Sequence, residues 1–168
     1  GNFVGIDLGT TFSVLSIFNE DGQHGIVYDS ERFLPSVVYF GDEIIVGSSA
    51  LQALEIDSKN VVVQIKKKMP INHEFSQNFN GIDYSAQQIS SFILKKLITD
   101  AKSKIGEVTD ATITIPAFFN DIAREATINA AKDAGITNPS IISEPVAAGI
   151  FYSRTKNING NILVYDLG

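Results

Sequence analysis

The period of apolar and polar positions changes several times along the chain. Residues 3–8, 12–19 and 23–29 are apolar or alternating runs of strand length, separated by turn residues. Gly9-Thr10-Thr11 fills the first break, and Asn19-Glu20-Asp21-Gly22 fills the second as a hairpin turn. Three antiparallel strands are thus predicted at the start. Further on, Ile89, Ile93, Leu97 and Ala101 recur every four residues, with Ala86, Leu94, Ile98 and Ile105 beside them. This is a helical stripe, predicted over 86–105 with Ser85 as its N-cap and Gly106 just past its end.

Strands and helices then alternate. Ala111–Ile115 reads as a strand closed by Pro116. Asn120 or Asp121 caps a helix whose core face is Ala123, Ala126, Ala130 and Ala134, with Gly135 as its stop. Ser140–Ser143 reads as a short strand. Pro145 suits the first position of a helix to about 154, which would leave Glu144 at the N-cap. Asn157–Gly160 is a turn, and 161–166 a last strand. The order of three strands, helix, strand, helix, strand, helix predicts an α/β fold of ribonuclease-H-like type. Its mixed sheet would carry flanking helices.

Residues 30–84 are too many for a plain loop and are expected to form an inserted small α+β subdomain. Within them 36–40 and 43–46 read as strands around Gly41-Asp42, and 48–55 as a short helix. Residues 71–84 are ambiguous, with Asn80-Gly81 a turn between short strands.

Composition narrows the chemistry. The chain has 44% apolar and 19% charged residues, which is globular, and a net charge of −6. That balance argues against a nucleic-acid or anionic-membrane surface. Cysteine is absent, and the two histidines, His24 and His73, are far apart. Thiolate and Ser–His–Asp chemistry are thereby excluded, and any metal site is expected to be oxygen-rich, favouring Mg²⁺ or Ca²⁺ over zinc. No apolar run nears the roughly 20 residues of a membrane span, and the first residues lack a basic signal-peptide start. A cytoplasmic setting is expected.

One phrase occurs twice. Val4-Gly5-Ile6-Asp7-Leu8-Gly9 is echoed by Leu163-Val164-Tyr165-Asp166-Leu167-Gly168. In the first copy, Gly9 lets the backbone turn close to a ligand, and Thr10-Thr11 add amides and hydroxyls suited to phosphate oxygens. A carboxylate such as Asp7 tolerates phosphates only with a cation, such as hydrated Mg²⁺, between them. Lys66 opens the run Lys66-Lys67-Lys68, which by itself reads as a solvated face. Glu144 ends a strand and either meets the helix dipole or orients a water. Phe12, Phe118 and Phe119 are expected in the core. No P-loop and no dinucleotide-binding glycine turn is present.

Together these motifs resemble the DnaK-type heat-shock chaperones of the actin and sugar-kinase superfamily. The resemblance is carried by Gly5–Ser13, by Arg32 with Pro35-Ser36-Val37-Val38, and by Ile115–Asp121 with Arg124. Glu144–Ala148 and Asp166-Leu167-Gly168 complete it. It implies an actin-like ATPase fold binding ATP/ADP and Mg²⁺, with K⁺ a further candidate. Asp7 and Asp166 would hold the metal through water, and Gly9, Thr10, Thr11, Phe12 and Gly168 would contact the nucleotide. Lys66 and Glu144 would place the attacking water, whereas Pro116, Arg124 and Pro145 would pass on the nucleotide state. Residues 1–35 and 111–168 would form the base of the first lobe and 36–110 its insertion. A second lobe and a peptide-binding domain would lie outside this chain. Clients would be unfolded peptides, and partners a J-domain cochaperone and a nucleotide exchange factor. A small-molecule kinase or a regulatory, non-hydrolysing relative is the alternative. This chain departs from the family pattern in a shortened insertion after Lys66, in Phe33-Leu34 for paired threonines, and in Ser140 and Ser143 for arginine and asparagine.

Overall fold

A computed structural model describes residues 1–18, 24–26 and 33–165. Its main sheet has the order β11-β10-β1-β2-β3, with β4 also paired to β2. The strands are β1 (Asn2–Leu8), β2 (Phe12–Phe18), β3 (His24–Ile26), β4 (Leu34–Pro35), β10 (Val108–Ile115) and β11 (Asn138–Ser143). β1, β10 and β11 run parallel, whereas β2 is antiparallel to β1, β3 and β4. This is the mixed sheet expected from the sequence. Parallel neighbours require crossovers, and helices supply them.

The sheet is two-faced. Val4, Ile6, Leu8, Leu15, Ala111, Ile113 and Ile115 point to one side and are buried. They share a core with Ile89, Ile93, Leu94 and Leu97 of helix α3 (Ala86–Ile105) and with Ala123, Ala126, Ala130 and Ala131 of helix α4 (Asp121–Asp133). α3 carries the predicted bounds because both ends are specified. Ser85 and Gln88 form a reciprocal capping box, and Gly106 leaves the helix at φ 81°. Asn120 caps α4 by accepting the Ala123 N–H at 2.9 Å. The opposite face alternates out of the core and is mostly polar, with Asp7, Ser16, Thr112, Thr114 and Ser140 beside Val14 and Ile142.

The residues between β3 and α3 hold two further small sheets. Strands β6 (Ile44–Val46), β5 (Val37–Phe40) and β7 (Val61–Val63) form one, and β8 (Gln77–Phe79) with β9 (Ile82–Tyr84) forms a hairpin. Asn80 and Gly81, both at positive φ, make the predicted turn. Phe40 stacks on Phe79 with centroids 4.1 Å apart, so the hairpin joins the main core. The single helix expected at 48–55 is two, α1 (Ser48–Gln52) and α2 (Leu54–Asp57), joined at Ala53.

Two expectations near the C-terminal end fail. Residues 161–165 are not in a strand, and among the described residues no strand pairs with them; Val164 sits against Gly149 of helix α5 (Glu144–Lys156) instead. The N-cap of α5 is Ser143, not Glu144, because Ser143 still has the extended backbone of β11 at φ −69° and ψ 142°. Glu144 and Pro145 are therefore the first two helical residues. Among the three phenylalanines expected inside, only Phe119 is buried; Phe118 is 82% and Phe12 49% exposed.

Ile93 is fully buried beneath the sheet. Ile93→Ala should lower unfolding free energy by about 2–5 kcal/mol, and Ser85→Ala by about 1 kcal/mol. Urea titrations of the two variants measure both.

Candidate functional site

The carboxyl ends of parallel strands collect side chains at one edge of a sheet, where crossovers leave a crevice. Here that edge holds several of the residues singled out from the sequence. Asp7 pairs across the ladder with Thr114, and Ile115 with Ser143. Asp7 and Glu144 thus flank the end of β10, on its two sides. Asp7 is exposed, on the polar face, and accepts a 3.3 Å hydrogen bond from the Thr114 hydroxyl.

After Asp7 the chain turns back into β2 through Gly9-Thr10-Thr11. A Cβ on Gly9 would overlap the Phe12 carbonyl oxygen, so the turn needs glycine. The turn is braced from beneath. Ser36 donates its N–H to the Thr11 carbonyl at 2.8 Å, and its hydroxyl meets that of Ser13 at 2.8 Å. Both serines are buried, so each satisfies the other. β4, which brings Ser36 here, is absent from the sequence reading. The Phe12 ring leans on Phe33 at 5.9 Å between centroids, and both rings stay half exposed.

Lys66 comes from the residues between β3 and α3. It lies on a 3-10 stretch, Ile65–Ile71, anchored by buried Ile65 and Met69. Its ammonium reaches Glu144 Oε1 at 2.9 Å across 78 positions of sequence. The Lys66 side chain is only 11% exposed, so the expectation of a solvated lysine run is wrong for its first member. It holds for Lys67 and Lys68, which are exposed. Burying a lysine stem is tolerable when the head is paired. Glu144 lies in the first turn of α5, where the helix dipole also favours its charge.

Pro116 is buried at the end of β10, and its carbonyl accepts the Phe119 N–H at 3.1 Å. Arg124 returns from α4 to the same loop, donating from Nε to the Phe119 carbonyl at 3.3 Å. Pro145 follows Glu144 in α5. Ser140 is bonded to Thr112 at 2.8 Å on the polar face of the sheet. Arg32, Asp166 and Gly168 lie outside the described residues. Among the described residues no cluster of three His, Cys, Asp or Glu could hold a metal directly. The donors at this edge, the Asp7 carboxylate with hydroxyls beside it, suit a hydrated hard cation.

The Ser13–Ser36 pair yields a signed prediction. Either single alanine substitution orphans a buried hydroxyl and should cost about 1–3 kcal/mol, whereas the double substitution should cost less than the two singles together. A double-mutant cycle by urea unfolding measures the coupling.

The family model described as Hsp70 protein matches residues 3–168. The chain is 39% identical over 195 aligned positions to the chaperone protein DnaK of Phaeodactylum tricornutum, covering all of this chain and 32% of that protein. The alignment is longer than this chain's 168 residues, so the relative carries residues that this chain lacks. The chain spans about a third of the length of this curated relative. With the family model matching nearly the whole chain and a relative 39% identical along all of it, the chain belongs to the Hsp70 family.

Proposed function

We propose that this chain forms the first part of an ATPase domain whose hydrolysis is coupled to peptide binding in the full-length protein. The observation that carries the reading is the Lys66–Glu144 ion pair, 2.9 Å long, at the sheet edge that also presents Asp7. A lysine brought from a separate subdomain and fixed by a carboxylate is a positioned positive charge. Phosphoryl transfer is served by positioned charge rather than by covalent chemistry.

The roles divide by chemistry. Gly9–Phe12 offer backbone amides and threonine hydroxyls for the β- and γ-phosphates of ATP. Asp7, with Asp166, would hold hydrated Mg²⁺, which when bound neutralises phosphate charge. Lys66 orients the terminal phosphate and the attacking water. Glu144 holds Lys66 through Oε1, which leaves Oε2 for that water. Pro116, Arg124 and Pro145 adjoin this machinery and are the candidates for passing its state onward. Residues 1–35 and 111–168 would be the base of the lobe, and 36–110 its insertion. α3 packs on β2 and β10 of the base as well as on β5, so the two parts share one core.

A second lobe is part of the proposal. Val146 and Phe151 are each 52% exposed, Leu163 84% and Tyr165 79%. An apolar surface of that kind calls for further chain to cover it. Unfolded peptides, a J-domain cochaperone and a nucleotide exchange factor are the partners that the family reading brings, in the cytoplasm. Among the described residues no helix is long and apolar enough to cross a membrane.

Two measurements test this. Calorimetry on residues 1–168 should find weak Mg-ATP binding, because these residues supply only one wall of the cleft; tight binding would contradict the two-lobe reading. In the full-length protein Lys66→Ala should slow ATP turnover on the order of 100-fold, the usual loss for a removed charge-stabilising donor. Unchanged turnover would remove Lys66 from the site.

A further inference from the structure

The stretch that carries Lys66 is unusual. Ile65–Ile71 is a 3-10 helix of seven residues, longer than the three or four over which that geometry is common. Such geometry makes poorer hydrogen bonds than an α-helix, so contacts from outside must help to hold it. It begins after Gln64, a left-handed residue at φ 56°. Near its other end, Met69 is buried and takes the Ser90 hydroxyl on its sulfur at 3.4 Å. Asn72, just beyond, accepts the Gln87 N–H at 2.7 Å. The carbonyl of Pro70 accepts Asn120 Nδ2 at 3.0 Å.

The last contact differs from the others. Asn120 is already employed, because its Oδ1 caps α4 through the Ala123 N–H. A side-chain amide has an acceptor and donors on one rigid plane, so it can serve both ends at once. The residue read from the sequence as a plain helix cap therefore joins two elements. One is the start of α4, on the far side of Pro116. The other is the segment that aims Lys66 at Glu144.

We infer that Asn120 is a positioning residue for Lys66: its amide fastens the lysine-bearing 3-10 stretch to the first turn of α4 and so sets where the ammonium sits. The inference rests on the ATPase reading of the Lys66–Glu144 pair. It assigns Asn120 a role beyond the stability of α4, and the two roles are separable by chemistry. Aspartate and serine both cap helices well. An ionised aspartate has no donor for Pro70, and serine's one donor sits on Oγ, a bond nearer the backbone than the Nδ2 that reaches Pro70.

The test uses Asn120→Asp and Asn120→Ser in the full-length protein, with Lys66→Ala alongside. Both Asn120 variants should keep the wild-type urea midpoint and nucleotide affinity. Single-turnover ATP hydrolysis should fall by about three- to tenfold, as expected of a small misplacement of a catalytic group. Agreement between the charged and uncharged substitutions removes a charge effect. Added to Lys66→Ala, either should cause no further loss, since the amide acts through that lysine. Wild-type turnover in both Asn120 variants, with Lys66→Ala slow, would overturn the inference and leave the ATPase reading standing. A lowered urea midpoint with a loss additive to that of Lys66→Ala would overturn it too, placing Asn120 in stability alone. Wild-type turnover in Lys66→Ala would reject the underlying ATPase reading.

Discussion

The whole structure depends on burying one face of the main sheet under α3 and α4. Aliphatic side chains from β1, β2 and β10 meet a leucine and isoleucine stripe on α3 and an alanine stripe on α4. The alanines let α4 lie close to the sheet, and close packing leaves little freedom in its position. Once that face is fixed, strand alternation dictates the other. Asp7 must point away from the core because Ile6 and Leu8 point into it. A one-residue slip of β1 would bury the carboxylate and expose the aliphatics, so the core sets the site's register.

The residues between β4 and α3 are held by the same core. Met69, Phe40 and Phe79 extend the cluster beneath the sheet outward to the small sheets. This continuity explains how a lysine so distant in sequence reaches Glu144. The segment bearing it is pinned on one side by the core, and its charged head is left at the strand edge. Glu144 gains from being the first residue of α5 rather than its cap, since its side chain lies beside the helix end while Ser143 completes β11. Burial and helix polarity thus act on one contact from opposite sides.

Regular elements were the legible part of the sequence. The long helix with a capping box and a terminal glycine carries its bounds in its own residues. The Asp7–Thr11 turn was equally readable, because glycine and adjacent hydroxyls announce close backbone approach. Arrangements that depend on tertiary contact were not readable. Leu34–Pro35 is only two residues long and becomes a strand by pairing with Phe12 and Ser13. Lys66 is indistinguishable from Lys67 and Lys68 until the 3-10 stretch rotates one inward and two outward. The three valines of β7 were a usable strand signal, missed because they are flanked by residues of no clear period. Phe118 misled because aromatic character predicts burial only on average.

The parallel pairing of β1 with β10 also constrains how the chain is made. Asp7 and Thr114 are neighbours in space but 107 positions apart. On a ribosome adding roughly 5–20 residues each second, β1 waits on the order of 5–20 s for the strand that will lie beside it. Its other side can be occupied at once, because β2 follows directly as an antiparallel neighbour. For that interval the nascent hairpin presents one open edge and the aliphatic face that α3 and α4 will later cover. The order of synthesis therefore makes the strand bearing Asp7 the earliest part of the core to appear and among the last to be closed on both sides.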